Sequence, residues 1–256
     1  MTKIILLCTE GESTTFVYNA LKDKHPISHI VYEEKIDKKT FLKRRIKRLG
    51  YLRVIGQAIF QLTIPKILQI TSKKRIEEIK HNYGLNDTPI LDESIIKQVR
   101  SINSKECIEF LKQEKPDLII VNGTRIISKK VLNGIGATFI NMHAGITPKY
   151  RGVHGGYWAM VNKDVANCGV TVHLVDSGID TGGVLFQRNI VPNAADNFVT
   201  YPYLQTAEGT KLMVQAITDF SNGCLKEKEV ASSKSHLWYH PTIWYYLYIR
   251  LTKGIR

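Results

Sequence analysis

The apolar residues of this chain fall into short continuous runs separated by stretches of helical spacing. Ile4 to Cys8 is one such run, followed by polar Thr9 to Thr14 and then by helical periodicity from Phe16 to Lys24. A run with no polar alternation suits a strand covered on both faces, so a strand–loop–helix unit opens the chain. Ser28 to Tyr32 reads as the second strand. Ser104 as N-cap and Pro116 as breaker predict a helix within Ser101 to Glu114. Asp117 to Asn122 is then a fully buried strand, and Ser128 caps a short helix after it. Thr138 to Met142 and Gly169 to Val175 are two further strand-like runs, each emptying into a glycine-rich polar loop. Beyond Val191 a polar loop leads into a long helix with Leu204, Met213, Ala216 and Ile217 on its inner side. Strands alternating with helices predict an α/β fold: a Rossmann-like, mostly parallel sheet with helices on both faces.

Residues 35–80 interrupt this alternation as a helical insertion after the second strand. From Lys35 to Arg53 there are nine basic residues against Asp37 alone, +8 of the chain's net +13. Leu42, Ile46 and Leu49 recur at i, i+4 and i+7 among lysines and arginines, a basic amphipathic helix ending near Gly50. A second helix, Tyr51 to Ile64, is apolar on nearly every side and is expected to be buried or embedded. The last residues, His236 to Arg256, set Trp238, Tyr239, Trp244, Tyr245, Tyr246 and Tyr248 beside arginines and lysines. Aromatics with basic ends suit packing on the domain or a water–lipid interface. The division expected is a catalytic domain over 1–225 and an aromatic, basic extension over 226–256.

Composition narrows the class. At 256 residues and 43% hydrophobic content the chain holds a proper core. No apolar run is long enough to cross a bilayer, and the opening IILLC lacks the flanks of a signal peptide. Cys8, Cys107, Cys168 and Cys224 form no C-x-x-C, so reduced thiols in the cytoplasm are the default, and no metal site is indicated. The positive charge favours an anionic partner.

The candidate chemistry sits between Phe139 and Gln187. Asn141 and His143, two apart on a strand end, leave from one face while Met142 points to the other, so the pair can reach one ligand. His173 alternates on the second strand and reads as a hydrogen-bonded structural histidine near that ligand. His154 lies in a glycine-rich loop from which it can contact substrate, and Arg151 is available for a phosphate. G-x-G-x-x-G is absent from the first loop, which instead carries Glu10 and Glu12, against a dinucleotide cofactor.

HAGITPKYRG after the Asn-x-His strand, and VTVHLVDSGIDTGG about thirty residues later, resemble the 10-formyltetrahydrofolate-dependent formyltransferases. These include glycinamide ribonucleotide transformylase, methionyl-tRNA formyltransferase and the sugar N-formyltransferases. The resemblance covers residues 117–190 well and the N-terminal pattern loosely. It implies the formyltransferase fold, 10-formyltetrahydrofolate as formyl donor, and a catalytic trio of Asn141, His143 and Asp180. It also implies a folate pocket built from Thr124, Arg125, Ile126, Ile127, Val175, Asp176 and Ile179. Read alone, Arg125 is a surface salt-bridge residue and Asp176 a turn residue. In this chemistry Asn141 and His143 would donate hydrogen bonds to the developing oxyanion. Asp180 would orient His143, raise its pKa and receive the amine proton.

Among acceptors, methionyl-tRNA is disfavoured, because only about sixty residues follow the core where those enzymes carry a β-barrel. Glycinamide ribonucleotide is weakened by the acidic first loop, which lacks that enzyme's glycine- and asparagine-rich phosphate cradle. An amino-sugar nucleotide for surface polysaccharide is the favoured acceptor, with hydroxyornithine an open alternative. No nucleic-acid partner is expected. A homodimer and peripheral contact with the cytoplasmic face of an anionic membrane stay open, as does a non-catalytic adaptor built on the same fold.

Overall fold

The computed structural model describes residues 2–35, 45–230 and 234–256. Strand β1 (Ile4–Cys8) passes through a turn into helix α1 (Glu12–Leu21), and β2 (Ile27–Glu33) returns parallel beside β1. Helices α2 (Tyr51–Thr71) and α3 (Lys73–Tyr83) precede β3 (Ile96–Val99). Then come α4 (Lys105–Glu114), β4 (Leu118–Asn122), α5 (Lys129–Gly134) and β5 (Thr138–His143). The two-residue β6 (Arg151–Gly152), α6 (Gly155–Val161), β7 (Gly169–Leu174) and β8 (Val184–Asn189) follow. The chain continues through α7 (Tyr201–Ser221), β9 (Leu237–Trp238) and α8 (Ile243–Lys253).

Seven strands form one sheet in the order β3-β2-β1-β4-β5-β7-β8. β7 runs antiparallel to both neighbours, and the five strands on the β3 side are mutually parallel. The fold is therefore α/β with a mostly parallel sheet. Period-two alternation along β1 sends Ile4, Leu6 and Cys8 to the layer of α1 and α7, and Ile5 and Leu7 to the layer of α4 and α5. Both faces are thus covered, which is why the run is apolar throughout. Each such buried side chain contributes about 2 kcal/mol of burial free energy. The progression of strands reverses between β1 and β4, so the loops leaving their carboxyl ends part and open a crevice there.

The caps read from sequence are present: Ser104 accepts from the Cys107 N–H at 3.2 Å and Ser128 from the Val131 N–H at 3.4 Å. Two elements differ from expectation, and a third is described only in part. Helix α1 starts at Glu12, four residues before Phe16, because the Gly11 carbonyl already accepts from Thr14 and Thr15. Residues 45–49 are helical, but Leu42 and the rest of 36–44 lie outside the described residues. Helix α2 continues through Pro65 to Thr71, and only one side of it is buried: Val54, Gly56, Gln57, Phe60 and Leu68. Its other side exposes large apolar residues, among them Leu52, Leu62 and Ile70.

The C-terminal segment packs on the domain. Tyr246 and Ile249 of α8 are buried with Phe60 and Tyr157, and the Phe60 and Tyr246 rings lie 5.2 Å apart. Buried Gln57 bridges two segments, accepting from Arg45 at 2.9 Å and donating to the His240 carbonyl at 2.6 Å. Among the described residues no helix is long and apolar enough to cross a membrane.

Candidate active site

Strand β5 delivers Asn141 and His143 to the crevice, while Met142 turns to the other face and packs against Gly209 of α7. Antiparallel β7 sets His173 directly opposite Asn141 in the register. The His173 Nδ1 lies 2.6 Å from the Leu174 carbonyl, which can only accept, so Nδ1 carries the proton. Its Nε2 is then a lone pair and accepts from the Asn141 amide at 3.1 Å. This fixes the orientation of the Asn141 amide and leaves its second N–H for the cavity.

His143 is fixed by the same logic. Its Nε2 lies 2.7 Å from the Tyr150 carbonyl and donates to it, so Nδ1 faces the Asp180 carboxylate, 3.4 Å from Oδ2. Asp180 adopts a left-handed backbone (φ 51°), and its Oδ2 accepts from the Gly152 N–H at 2.9 Å while Oδ1 lies 3.7 Å from His173 Nε2. Burial pushes the Asp180 carboxyl up, but attraction to His173 and His143 when these are protonated, together with the Gly152 amide, outweighs it and holds the group below the usual carboxylate range. For His143 the balance runs the other way. Burial lowers its pKa and the Asp180 charge only partly restores it. Asp180 thus raises the His143 pKa as expected, but burial outweighs it and the ring is held neutral. The expected donor role shifts, since the one N–H of neutral His143 is spent on Tyr150. Nδ1 becomes a donor only after capturing a proton.

Residues 150–152 therefore brace both His143 and Asp180, and they are themselves braced. β6 pairs in parallel with β9, the Trp238 indole N–H donates to the Lys149 carbonyl at 3.1 Å, and the Arg151 guanidinium donates to the Ile179 carbonyl at 2.9 Å. Arg151, expected to be available for a phosphate, thus has one guanidinium nitrogen committed to the Asp180 loop. Two glycines are required by close approach. A Cβ on Gly145 would sit 2.3 Å from the Tyr150 carbonyl oxygen and 2.7 Å from His143 Nε2. A Cβ on Gly152, at φ +94°, would sit 2.3 Å from the Trp238 carbonyl oxygen. The braces are backbone atoms, which no side-chain pattern reports.

One cavity of about 340 Å³ collects Asn141, His143 and Asp180 together with Thr124, Arg125, Ile126, Ile127, Val175, Asp176 and Ile179. His173, Gly152 and Val153 also line it. Its β4 side is locked by buried Glu33, which accepts from the N–H groups of Arg125 at 2.8 Å and Ile102 at 2.9 Å. The Arg125 guanidinium pairs with Glu33 at 3.3 Å and donates to the carbonyls of Glu34 and Arg100. Asp176 is a turn residue, accepting from the Gly178 N–H at 2.9 Å and the Thr181 hydroxyl at 2.7 Å. His154 is not part of the lining. It turns to Phe198 and to His240, whose Nδ1 lies 3.0 Å from its Nε2. The expectation that it contacts substrate is corrected, because its left-handed position ahead of α6 directs the ring into the aromatic cluster. Among the described residues no group of three or more His, Cys, Asp or Glu is placed to hold a metal ion.

The family model described as Formyl transferase matches residues 62–217, more than half of the chain. The chain belongs to the formyl transferase family. A methionyl-tRNA formyltransferase from Thermodesulfovibrio yellowstonii is 32% identical over 137 residues, covering 54% of this chain and 41% of that protein. The chain spans less than half the length of the curated relatives it matches. Among solved structures, a sugar N-formyltransferase from a Shewanella species superposes with a TM-score of 0.58 at 14% identity, covering 93% of this chain and 76% of that one. An N-formyltransferase from Helicobacter canadensis superposes with a TM-score of 0.54 at 17% identity, covering 93% and 71%. At these identities the likeness is one of fold, and the crevice of this family member lies at the carboxyl ends of β4 and β5.

Proposed function

We propose that this chain transfers a formyl group from 10-formyltetrahydrofolate to a primary amine, and that the amine belongs to an amino-sugar nucleotide. The observation that carries the reading is the convergence of Asn141, His143 and Asp180 in one cavity whose other wall is the segment Gly123–Ile127. That wall suits a folate. Ile126, Ile127, Val175 and Ile179 give apolar contact, and the backbone, pinned by Glu33, offers polar groups to a ring edge. Bound there, 10-formyltetrahydrofolate supplies the formyl carbon. The structure of the Helicobacter canadensis enzyme holds folinic acid and dTDP-3-aminofucose, which supports both halves of the proposal by analogy.

The chain's own residues supply the rest. Asn141, oriented by His173, donates its second N–H to the formyl oxygen as that oxygen gains charge, a contribution of about 3 kcal/mol for a preorganised donor. His143 Nδ1 accepts the proton lost by the attacking amine, and Asp180, ionised beside it, stabilises the imidazolium. The same Nδ1–H then returns the proton to the folate nitrogen as its bond to the formyl carbon breaks. Proton count and charge balance without any further reactant.

A second cavity of about 650 Å³ shares Gly123, Thr124 and Arg125 with the first and continues past Thr9, Glu33, Glu34, Lys35, Arg45 and Gln57. It is the natural space for the acceptor, with cationic side chains for a diphosphate. The start of α1, where a small phosphate would otherwise dock, carries Glu12, paired with Lys80 at 2.5 Å, which disfavours glycinamide ribonucleotide. A second reading, methionyl-tRNA as acceptor, is favoured by the curated relatives, which carry that activity in their names. Mass spectrometry of a panel decides: amino-sugar nucleotides, glycinamide ribonucleotide, hydroxyornithine and methionyl-tRNA, each with 10-formyltetrahydrofolate. A formylated amino-sugar nucleotide is the expected product. Formylation of methionyl-tRNA alone would replace the acceptor, and no product with any amine would overturn the transfer itself.

A further inference from the structure

The outer side of α2 breaks the usual rule for a surface helix, whose solvent face is polar. Leu52, Ile59, Leu62 and Ile70 lie along it at 76%, 42%, 65% and 78% exposure. Helix α8 packs beside it, with the Trp244 indole lying against Gly56 so closely that a Cβ there would overlap the ring. α8 continues the apolar surface with Trp244, Leu247 and Leu251, all exposed. The two segments that carry this surface have charge of one sign. Residues 45–71 contain five basic residues and 241–256 contain three, and neither segment has an Asp or Glu. A cavity of about 790 Å³ opens at the same edge, walled by Trp158, Trp238, Tyr239 and Trp244 and carrying the exposed Arg53.

We infer that this face docks on the surface of an anionic phospholipid bilayer. Protruding aliphatic side chains enter the acyl boundary, Trp and Tyr sit at the interface, and a ring of Lys and Arg meets anionic headgroups. Each basic side chain near such a surface raises partitioning about fivefold. A second copy of the chain is the poorer occupant, since a two-fold contact would set two basic surfaces against each other, with no Asp or Glu in either helical segment to offset them. The aromatic cavity with Arg53 suits one phospholipid headgroup beneath the docked face. Leu62 also lines the cavity assigned to the acceptor, so the docking face and the acceptor space share a border.

The test uses the full chain and unilamellar vesicles of phosphatidylcholine alone or mixed with phosphatidylglycerol. Binding to the mixed vesicles is expected at low salt, with loss at high salt and a blue shift of tryptophan emission that Trp244→Phe abolishes. A Leu52→Glu/Ile59→Glu variant, whose sites are exposed, should keep its melting temperature and lose about tenfold or more in partitioning. Equal affinity for phosphatidylcholine, no binding at low salt, or undiminished binding by the variant would overturn the inference. So would a dimer in sedimentation that the same substitutions dissociate, because the face would then belong to a second copy.

Discussion

Replacing Asp180 with asparagine separates charge from shape at the centre of the proposed site. The amide oxygen of the substituted side chain can keep the Gly152 N–H, now received by the carboxylate at 2.9 Å, so stability should change by no more than about 1 kcal/mol. What is lost is a negative charge 3.4 Å from His143 Nδ1. At an effective dielectric near 20 that interaction with an imidazolium is worth about 5 kcal/mol. His143 is already biased to the neutral form by burial, so without Asp180 it captures the amine proton poorly. A loss of about 3–5 kcal/mol of transition-state stabilisation corresponds to a 10²–10³-fold or greater fall in kcat. Steady-state formyl transfer measures it, alongside thermal melting and the affinity for folinic acid, both of which should stay near wild type. Asp180→Asn retaining more than about a tenth of kcat, or losing folate affinity and activity together, would refute the reasoning.

Three further outcomes follow from other contacts. His173→Phe removes the acceptor that orients Asn141, so kcat should fall by about 10–100-fold with KM little changed, and His173→Gln should recover part of the loss in the same kinetic assay. Gly56→Ala would place a Cβ 2.2–2.7 Å from the Trp244 indole and displace that half-exposed ring. A cost of about 1–2 kcal/mol, or a few degrees in Tm, should appear in calorimetry. Burial holds His154 down to about 3 and His240 down to about 4, each lowered further by a neighbouring group, His240 and Arg45 respectively. Both are neutral when folded, while the unfolded chain binds protons below about pH 6.5. Stability should therefore be flat above that pH and decline by about 1–2 kcal/mol per histidine between pH 6.5 and 5, before carboxylates titrate. Denaturant unfolding across that window reads the slope, and His240→Gln should flatten it.

The parts legible in the sequence were those written in side-chain type at short range. The unbroken apolar runs Ile4–Cys8 and Leu118–Asn122 marked strands buried on both faces, and Ser104 and Ser128 marked helix starts. The N-x-H and D-T-G stretches pointed to Asn141, His143 and Asp180, and the family resemblance to the seven further side chains that the fold gathers with them in one cavity. What stayed hidden was carried by backbone atoms and by distance along the chain. The Tyr150 carbonyl and Gly152 amide that brace His143 and Asp180 belong to no side-chain pattern. The β6–β9 pair joins residues some 86 positions apart through two residues each, too few for any periodicity. Helix α2 was legible only in part. Apolar residues on all sides read as buried or embedded, and the fold itself covers only one side. The His143 titration could not be read either, since burial decides it and burial is a property of the fold.

A crystal structure of the full chain with folinic acid probes the meeting of Asn141, His143 and Asp180 at one carbonyl carbon more directly than any rate. The formyl oxygen should lie within hydrogen-bonding distance of Asn141 Nδ2, with the formyl carbon beside His143 Nδ1 and the ring against Ile126 and Ile127. Folinic acid bound elsewhere, or bound here with its formyl group turned away from Asn141 and His143, would contradict the assignment.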